Sequence, residues 1–255
     1  MALITINHHT NTLGKHHSFK VILPEEDSQY DTKSEVQPLK SILLLHGLSN
    51  DETVYTRYTN IERFANAAHI AVIMPSADHS FYTNMVFGHS YYDYVLEVHD
   101  YARQILPLSK KREDNFVAGH SMGGYGTIKM AFTQGDRFAK ACFMSSATHL
   151  ENLLSYEWYD FSPKAIAGDV TSMKELDIEP RALVDRALAD GYALPELYMM
   201  CGTEDELYQN NLDFKKYLED HAVDFKYEDG PGGHDWEYWN EGIHKAIQWF
   251  AGNRR

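Results

Sequence analysis

Residues 116–126 place a serine between glycines, where an apolar run gives way to a helical pattern. The stretch FVAGHSMGGYG predicts a buried strand that ends near Ala118, a sharp turn at Ser121 and a following helix. Gly119 and Gly123 flank the turn, and we expect them to lie so close together that side chains there would clash. This G-x-S-x-G pattern is typical of a nucleophile elbow, which exposes a serine hydroxyl at the C-terminal edge of a sheet. The alternative is a tight turn with an incidental serine.

A serine hydroxyl becomes a nucleophile when a base takes its proton, and His234 has the position for that role. The elbow fold orders its residues as serine, then acid, then histidine. His234 follows a Pro-Gly-Gly turn after the last predicted strand, and Asp235 can cap the last helix. A surface histidine in a turn is the alternative. His120 is adjacent to Ser121, but the turn should direct its ring elsewhere, so we predict that it packs in the core or supports the site residues.

The acid that would orient the histidine should follow the preceding predicted strand. Glu204, Asp205 and Glu206 lie just past the apolar run ELYMMCG. A carboxylate there can accept the imidazole N–H, hold the tautomer and stabilise the imidazolium. The alternative for each of the three is a charge that only favours the next helix N-terminus. Spacing barely separates them, so the acid stays open at this point.

Two backbone N–H groups are candidates for binding the oxyanion that acyl transfer generates. Met122 directly follows the serine, and Leu48 follows His46–Gly47 in the loop after an early buried strand. These are the two places from which such folds recruit oxyanion donors. An ordinary strand-to-helix turn at His46–Gly47 is the alternative.

The elements that must position these residues alternate along the chain. Alternating strands and helices predict an α/β fold with a mostly parallel central sheet and helices on both faces. We expect one domain over residues 1–255, with residues 148–194 as a small cap-like insertion over the active site. Strands are predicted at residues 17–24, 40–47, 70–77, 114–119, 139–147, 196–202 and 223–230, and helices at 53–69, 91–106, 122–132, 205–220 and 235–252.

The composition argues against several classes of partner. The chain has 255 residues and a formal net charge of -14, whereas phosphate binding needs an excess of Lys and Arg, so we expect no nucleic acid partner. No apolar run is long enough to span a bilayer, and the first residues lack a signal-peptide pattern. We therefore expect a cytoplasmic protein without membrane insertion, whose Cys142 and Cys201 are buried free thiols. His8–His9 and His16–His17 are poor chelators, because adjacent strand residues face opposite ways, and no metal or cofactor is expected.

Five blocks of the sequence together resemble the esterase D family of serine hydrolases, and within it the bacterial tributyrin esterases. The resemblance covers nearly the whole chain and implies an α/β-hydrolase fold and a carboxylesterase that prefers short acyl chains. It implies a catalytic triad of Ser121, Asp205 and His234, with the N–H groups of Leu48 and Met122 as the oxyanion hole. Family members often associate, which implies a homo-oligomer. The blocks are LLLHGLSNDETVY, VIMPSADHSFYTN, GHSMGGYGTIKMA, MCGTEDELY and PGGHDWEYW.

We expect the substrate to be a small-molecule ester. Three alternative functions are compatible with the same residues. One is an S-formylglutathione hydrolase-type thioesterase, although that branch usually has a cysteine where this chain has Ser49–Asn50. The second is an acyltransferase with the same triad, and the third is a binding module without catalysis. Tyr82 and Trp158 are candidates for lining an apolar substrate pocket, with core packing as the alternative.

Overall fold

An eight-stranded sheet forms the centre of the computed structural model, which describes residues 1–25, 37–155, 161–173, 176 and 178–252. The strand order is β1-β2-β4-β3-β5-β6-β7-β8, with β1 and β2 antiparallel at one edge and the other six strands parallel. The predicted mostly parallel sheet is therefore confirmed. The strands are β1 Ala2–Thr10, β2 Lys15–Leu23, β3 Lys40–Leu45, β4 Ile70–Pro75, β5 Asn115–His120, β6 Lys140–Met144, β7 Glu196–Gly202 and β8 Lys226–Gly230.

Helices cover both faces of the sheet, as predicted. One apolar layer joins the sheet to α3, α4, α6 and α7, and the other joins it to α1, α2 and α8. Every residue of β4 and β5 is buried, because parallel strands in such a sandwich meet apolar side chains on both sides. The helices are α1 Val54–Tyr58, α2 Ile61–Ala68, α3 Tyr91–Ile105, α4 Met122–Thr133, α5 Pro163–Ala167, α6 Pro180–Ala189, α7 Tyr208–Asp220 and α8 Trp236–Ala251.

The helix predicted over residues 53–69 is broken into α1 and α2, so that prediction was wrong as a single element. Thr59 between them is extended, with φ -131° and ψ 171°. Its hydroxyl donates to the Tyr55 carbonyl and accepts from the Ile61 N–H at 3.2 Å. A threonine side chain that bonds nearby backbone groups competes with the helical ladder, which explains the break.

The described part of residues 148–194 packs beside α4, the helix that follows Ser121. It holds a 3₁₀ turn at Leu150–Ser155 and the helices α5 and α6. The Tyr125 hydroxyl of α4 donates to the Ile178 carbonyl at 2.8 Å and ties this segment to α4. A role as a cap over the active site stays a prediction. In the described ranges of the chain, no helix has the length and apolar character needed to cross a membrane.

Candidate active site

Ser121 lies at a strained corner between β5 and α4. Its φ of 56° and ψ of -120° lie outside the conformations that residues with side chains prefer. The corner is closed by the Ser121 N–H, which donates to the Met144 carbonyl at 3.0 Å. A Cβ at Gly119 would lie 2.4 Å from the Gly123 carbonyl oxygen, and one at Gly123 would lie 2.2 Å from the Leu45 oxygen. The expected close approach of the two glycines is therefore confirmed.

The structure brings Ser121, His234 and Asp205 into one hydrogen-bonded row. The Ser121 Oγ lies 3.0 Å from His234 Nε2. His234 Nδ1 lies 3.0 Å from both carboxylate oxygens of Asp205. The His234 side chain is 22% exposed, whereas that of Asp205 is fully buried. A hydroxyl, an imidazole and a carboxylate in this order can move a proton from the serine to the histidine.

Of the three acidic candidates, only Asp205 contacts the histidine. Burial raises the pKa of its carboxyl group, but hydrogen bonds and the His234 charge outweigh burial and hold the pKa below the usual value. The Leu207 N–H donates to Asp205 Oδ1 at 2.7 Å. Glu204 instead accepts from the Gly232 N–H, and Glu206 makes no hydrogen bond within the described part of the chain. The three residues are consecutive in the sequence, so the direction of each side chain decides which of them reaches His234.

The loop that carries His234 is held at both ends. The Glu204 N–H donates to the Gly232 carbonyl at 3.1 Å, which joins this loop to the one that carries the acid. Asp235 caps α8 by accepting from the Tyr238 N–H at 2.9 Å, as predicted. The Trp239 ring meets the His234 ring edge-on, with centroids 4.9 Å apart. The backbone next to His234 is therefore fixed by the Asp235 cap, and the imidazole ring packs against Trp239.

Residues 46–50, which we call the oxyanion loop, are ordered by His46. The Ala77 N–H donates to His46 Nε2 at 2.8 Å, so the ring proton is on Nδ1, which donates to the Gly47 carbonyl at 2.7 Å. Burial lowers the pKa of His46 to about 4, which keeps the ring neutral. The Tyr82 hydroxyl donates to the His46 carbonyl at 2.9 Å.

These bonds set the direction of the Leu48 N–H. The Gly47 carbonyl and the Leu48 N–H belong to one trans peptide and point in opposite directions. His46 and the Asn50 N–H, at 3.3 Å, hold that carbonyl on one side, so the Leu48 N–H faces the other side. Neither Leu48 nor Met122 donates its backbone N–H within the described residues, which leaves both donors available for an oxyanion.

Tyr82 and His120 lie in the core around the site. The Tyr82 side chain is fully buried behind the oxyanion loop, so the structure gives it a supporting position there; contact with substrate stays a prediction. His120 is buried too, with its Nδ1 2.7 Å from the Tyr55 hydroxyl, and burial lowers its pKa well below the usual value. Its predicted packing role is confirmed. Trp158, the other pocket candidate, lies outside the described residues.

Sequence reasoning missed Ser145, which the structure places behind Asp205. Its hydroxyl bonds the Asp205 carboxylate and accepts from Trp239 Nε1 at 3.1 Å. Ser145 follows β6 directly, at the same sheet edge as Ser121. A polar residue just past a buried parallel strand is the signal that could have identified it, because such edges collect functional side chains.

The N-terminal histidines face each other across two strands. His8 is opposite His17, and His9 is opposite His16. Within the ranges that the structure describes, no three or more His, Cys, Asp or Glu side chains are grouped as a metal site would require.

Comparisons with known proteins agree with this geometry. The model of the family described as "Putative esterase" matches residues 10–250. An acetyl esterase of Caldicellulosiruptor saccharolyticus is 29% identical, with 98% of each chain covered. Substrate-bound FphF, a fluorophosphonate-binding serine hydrolase of Staphylococcus aureus, is 55% identical with a TM-score of 0.96, and 98% of each chain is covered.

A second solved structure extends the range of related activities. The S-formylglutathione hydrolase FrmB from Staphylococcus aureus is also 55% identical, with a TM-score of 0.91 and 98% of each chain covered. The family match and these relatives span almost the full length of the chain. They indicate an α/β-hydrolase fold and serine-hydrolase chemistry. The chain therefore belongs to this esterase family and is a serine hydrolase.

Proposed function

We propose that the protein is a carboxylesterase that hydrolyses short-chain acyl esters through Ser121, His234 and Asp205. The observation that carries the proposal is the row of 3.0 Å contacts from the serine hydroxyl to the histidine and on to the buried carboxylate. The relative named acetyl esterase supports a short acyl group. A tributyrin esterase specificity, a cytoplasmic location and association into homo-oligomers are predictions that go with this proposal.

The first half-reaction forms an acyl-enzyme. His234 Nε2 takes the Ser121 proton as the oxygen attacks the ester carbonyl, and Asp205 stabilises the imidazolium that results. The Leu48 and Met122 N–H groups hold the tetrahedral oxyanion. As the intermediate collapses, the bond to the alcohol breaks, and His234 gives its proton to the leaving oxygen.

The second half-reaction releases the acid. Water takes the place of the alcohol, and His234 removes a proton from it as it attacks the acyl carbonyl. The Ser121 oxygen leaves and receives that proton back. Apart from the ester and water, these steps use only side chains and backbone groups of the chain.

Thioester hydrolysis is the second candidate, because one relative of 55% identity is named S-formylglutathione hydrolase. The proposed site could cleave either an ester or a thioester, since both form the same acyl-enzyme. Comparing kcat/KM for S-formylglutathione and for 4-nitrophenyl butyrate separates the two. A preference for the thioester of about 100-fold or more would make the thioesterase the better description.

Acyl chain length tests the proposed short-chain preference. We expect kcat/KM for 4-nitrophenyl esters to be highest at acetate or butyrate and to fall at least about tenfold by decanoate, because a compact pocket excludes long chains. Steady-state rates across the series measure this. A steady rise towards decanoate would contradict a small acyl pocket. Mainly transfer product in dilute alcohol would instead indicate an acyltransferase.

His46 offers a test of the oxyanion hole through a positioning residue. We expect His46→Leu to lower kcat by up to about 100-fold with a smaller change in KM, because the Gly47 carbonyl loses the donor that fixes the Leu48 N–H. His46→Asn places an amide donor near the Nδ1 position and should recover part of the loss. Circular dichroism checks that both variants remain folded. If folded His46→Leu and His46→Asn have the same kcat, the Nδ1 donor of His46 does not position the Leu48 N–H.

A further inference from the structure

Lys129 is a buried cation on α4, about two turns after Ser121. Only 7% of the residue is exposed. Burying a charge away from water is costly unless nearby groups compensate for the lost hydration. Burial lowers the pKa of Lys129 to about 8, so most of the ammonium stays charged at neutral pH. The contacts of this buried charge indicate its role.

The Lys129 ammonium contacts a backbone carbonyl and an aromatic ring. Its Nζ donates to the Tyr82 carbonyl at 3.1 Å and lies 4.4 Å from the centre of the Tyr92 ring. It forms no ion pair with a described residue. Asp93 of α3 favours its charge at longer range, and Arg186 of α6 opposes it. The Tyr82 carbonyl is therefore the one oxygen to which Lys129 donates within the described chain.

The carbonyl that Lys129 holds belongs to a strained turn. Phe81 and Tyr82 are consecutive residues with φ of 48°, in the left-handed region that residues with side chains avoid. The Tyr82 N–H donates to the Ser80 hydroxyl at 3.1 Å, and the Tyr82 carbonyl accepts from Lys129. Both backbone polar groups of Tyr82 are therefore bonded, and these bonds hold a conformation that is unfavourable by itself.

The Tyr82 side chain fills the space between α4 and the oxyanion loop. A Cβ at Gly126 would lie 2.6 Å from the Tyr82 ring, so the ring packs directly on the backbone of α4. The Tyr82 hydroxyl donates to the His46 carbonyl at 2.9 Å. A Cβ at Gly123 would lie 2.7 Å from the same carbonyl oxygen, which places the oxyanion loop against the start of α4. Tyr82 thus joins the two segments that supply the proposed oxyanion donors.

We propose that Lys129 is a positioning residue for the oxyanion hole and acts through Tyr82. Its bond to the Tyr82 carbonyl fixes the turn, the turn fixes the Tyr82 ring, and the hydroxyl holds the His46 carbonyl. Without the ammonium the turn can relax, and the Leu48 N–H moves relative to the Met122 N–H. Two donors stabilise an oxyanion well only when both are aimed at the oxygen. The proposal rests on the proposed function and adds to it a residue that does not touch the substrate.

Lys129→Met tests this role, because methionine is a long unbranched side chain without a charge or an N–H donor. We expect kcat for 4-nitrophenyl butyrate to fall about tenfold with little change in KM, since the lost interaction acts in the transition state. Titration with a fluorophosphonate ester counts the active sites, so an unfolded fraction does not lower the measured kcat.

The affinity of an oxyanion mimic separates positioning from a general loss of stability. Propylboronic acid accepts the Ser121 oxygen at boron and becomes a tetrahedral anion, while His234 takes the serine proton. One boron-bound oxygen then occupies the oxyanion position, as in a transition-state analogue. We expect Lys129→Met to raise the inhibition constant by about the same factor as it lowers kcat. An unfolded fraction alone would leave the inhibition constant unchanged.

Tyr82→Phe removes the link between Lys129 and the oxyanion loop. It should also lower kcat and raise the inhibition constant. Adding Lys129→Met to Tyr82→Phe should change either value by less than about twofold, because the two residues act in one chain of contacts. Tyr82→Phe removes a single oxygen, so it keeps the proposal testable if Lys129→Met does not fold.

Lys140→Met is the matched control. Lys140 also donates to a backbone carbonyl, that of Trp249 at 3.0 Å, and lies 4.8 Å from the centre of the Trp249 ring. It begins β6, at the end of the parallel strands opposite to Ser121. This variant should therefore keep the wild-type kcat and inhibition constant.

A wild-type inhibition constant in folded Lys129→Met or in Tyr82→Phe would overturn the proposal. Losses that multiply in the double variant would also overturn it, because Lys129 would then act by a route other than Tyr82. Failure of the proposed function would differ from both. The wild type would then show neither inhibition by propylboronic acid nor hydrolysis that depends on Ser121.

Discussion

Ser121→Ala is expected to lower kcat for 4-nitrophenyl butyrate by about 10⁴-fold or more. Alanine removes the oxygen that forms the acyl bond, and no other described hydroxyl lies within hydrogen-bonding distance of His234 Nε2. The remaining rate would come from binding and the oxyanion donors alone. Initial rates measure the loss, and mass spectrometry after treatment with a fluorophosphonate ester should show one adduct on the wild type and none on the variant. Substantial activity or labelling in Ser121→Ala would refute the nucleophile assignment.

Ser121→Gly is the matched control for the strain at the corner. Glycine adopts the φ of 56° more easily than alanine, so this variant should be more stable than Ser121→Ala by about 1 kcal/mol. Thermal or urea unfolding measures the difference. Both variants should be equally inactive, because they lack the same oxygen. If the more stable variant regained activity, the loss in Ser121→Ala would reflect folding and not chemistry.

Asp205→Asn is expected to lower kcat by about 10⁴-fold while changing KM little. An asparagine side chain can direct its amide towards His234 Nδ1, which favours the wrong tautomer and removes the charge that stabilises the imidazolium. Glu206→Gln is the matched control in the same loop, because Glu206 has no hydrogen bond to a described residue. It should retain activity within about twofold. Equal losses in the two variants would show that the loop, and not the Asp205 carboxylate, is responsible.

The same substitution has a pH signature in stability. The pKa of Asp205 is lower in the folded protein than in the unfolded chain, so its ionised form stabilises the fold above the unfolded value, about 3.9. That contribution is lost as the pH falls through the lower folded value. The difference in the free energy of unfolding between wild type and Asp205→Asn should therefore shrink below about pH 4. A constant difference down to pH 2 would contradict the lowered pKa.

Local patterns in the sequence were enough to identify much of this protein. The glycines around Ser121 predicted a corner, because a Cβ at Gly119 would lie only 2.4 Å from the Gly123 carbonyl oxygen. Apolar runs predicted the parallel sheet, because strands covered on both faces need apolar residues throughout. The turn before His234 and the Asp235 cap placed the histidine just ahead of a helix. Each signal lies within a few residues and depends on backbone geometry alone.

The order of the residues along the chain could not choose among Glu204, Asp205 and Glu206 without the family resemblance, since they are adjacent and alike in charge. That choice depends on the direction of each side chain, which packing from β8 and the His234 loop decides. The same holds for the roles of His46 and Ser145, whose partners Ala77 and Trp239 are distant in the sequence. Sequence alone determined which chemical groups the chain carries and the fold that collects them at one sheet edge. The tertiary structure decided which of them meet. A hydrogen bond forms only when donor and acceptor lie at the right distance to within a few tenths of an ångström, and here the two atoms belong to segments far apart in the chain.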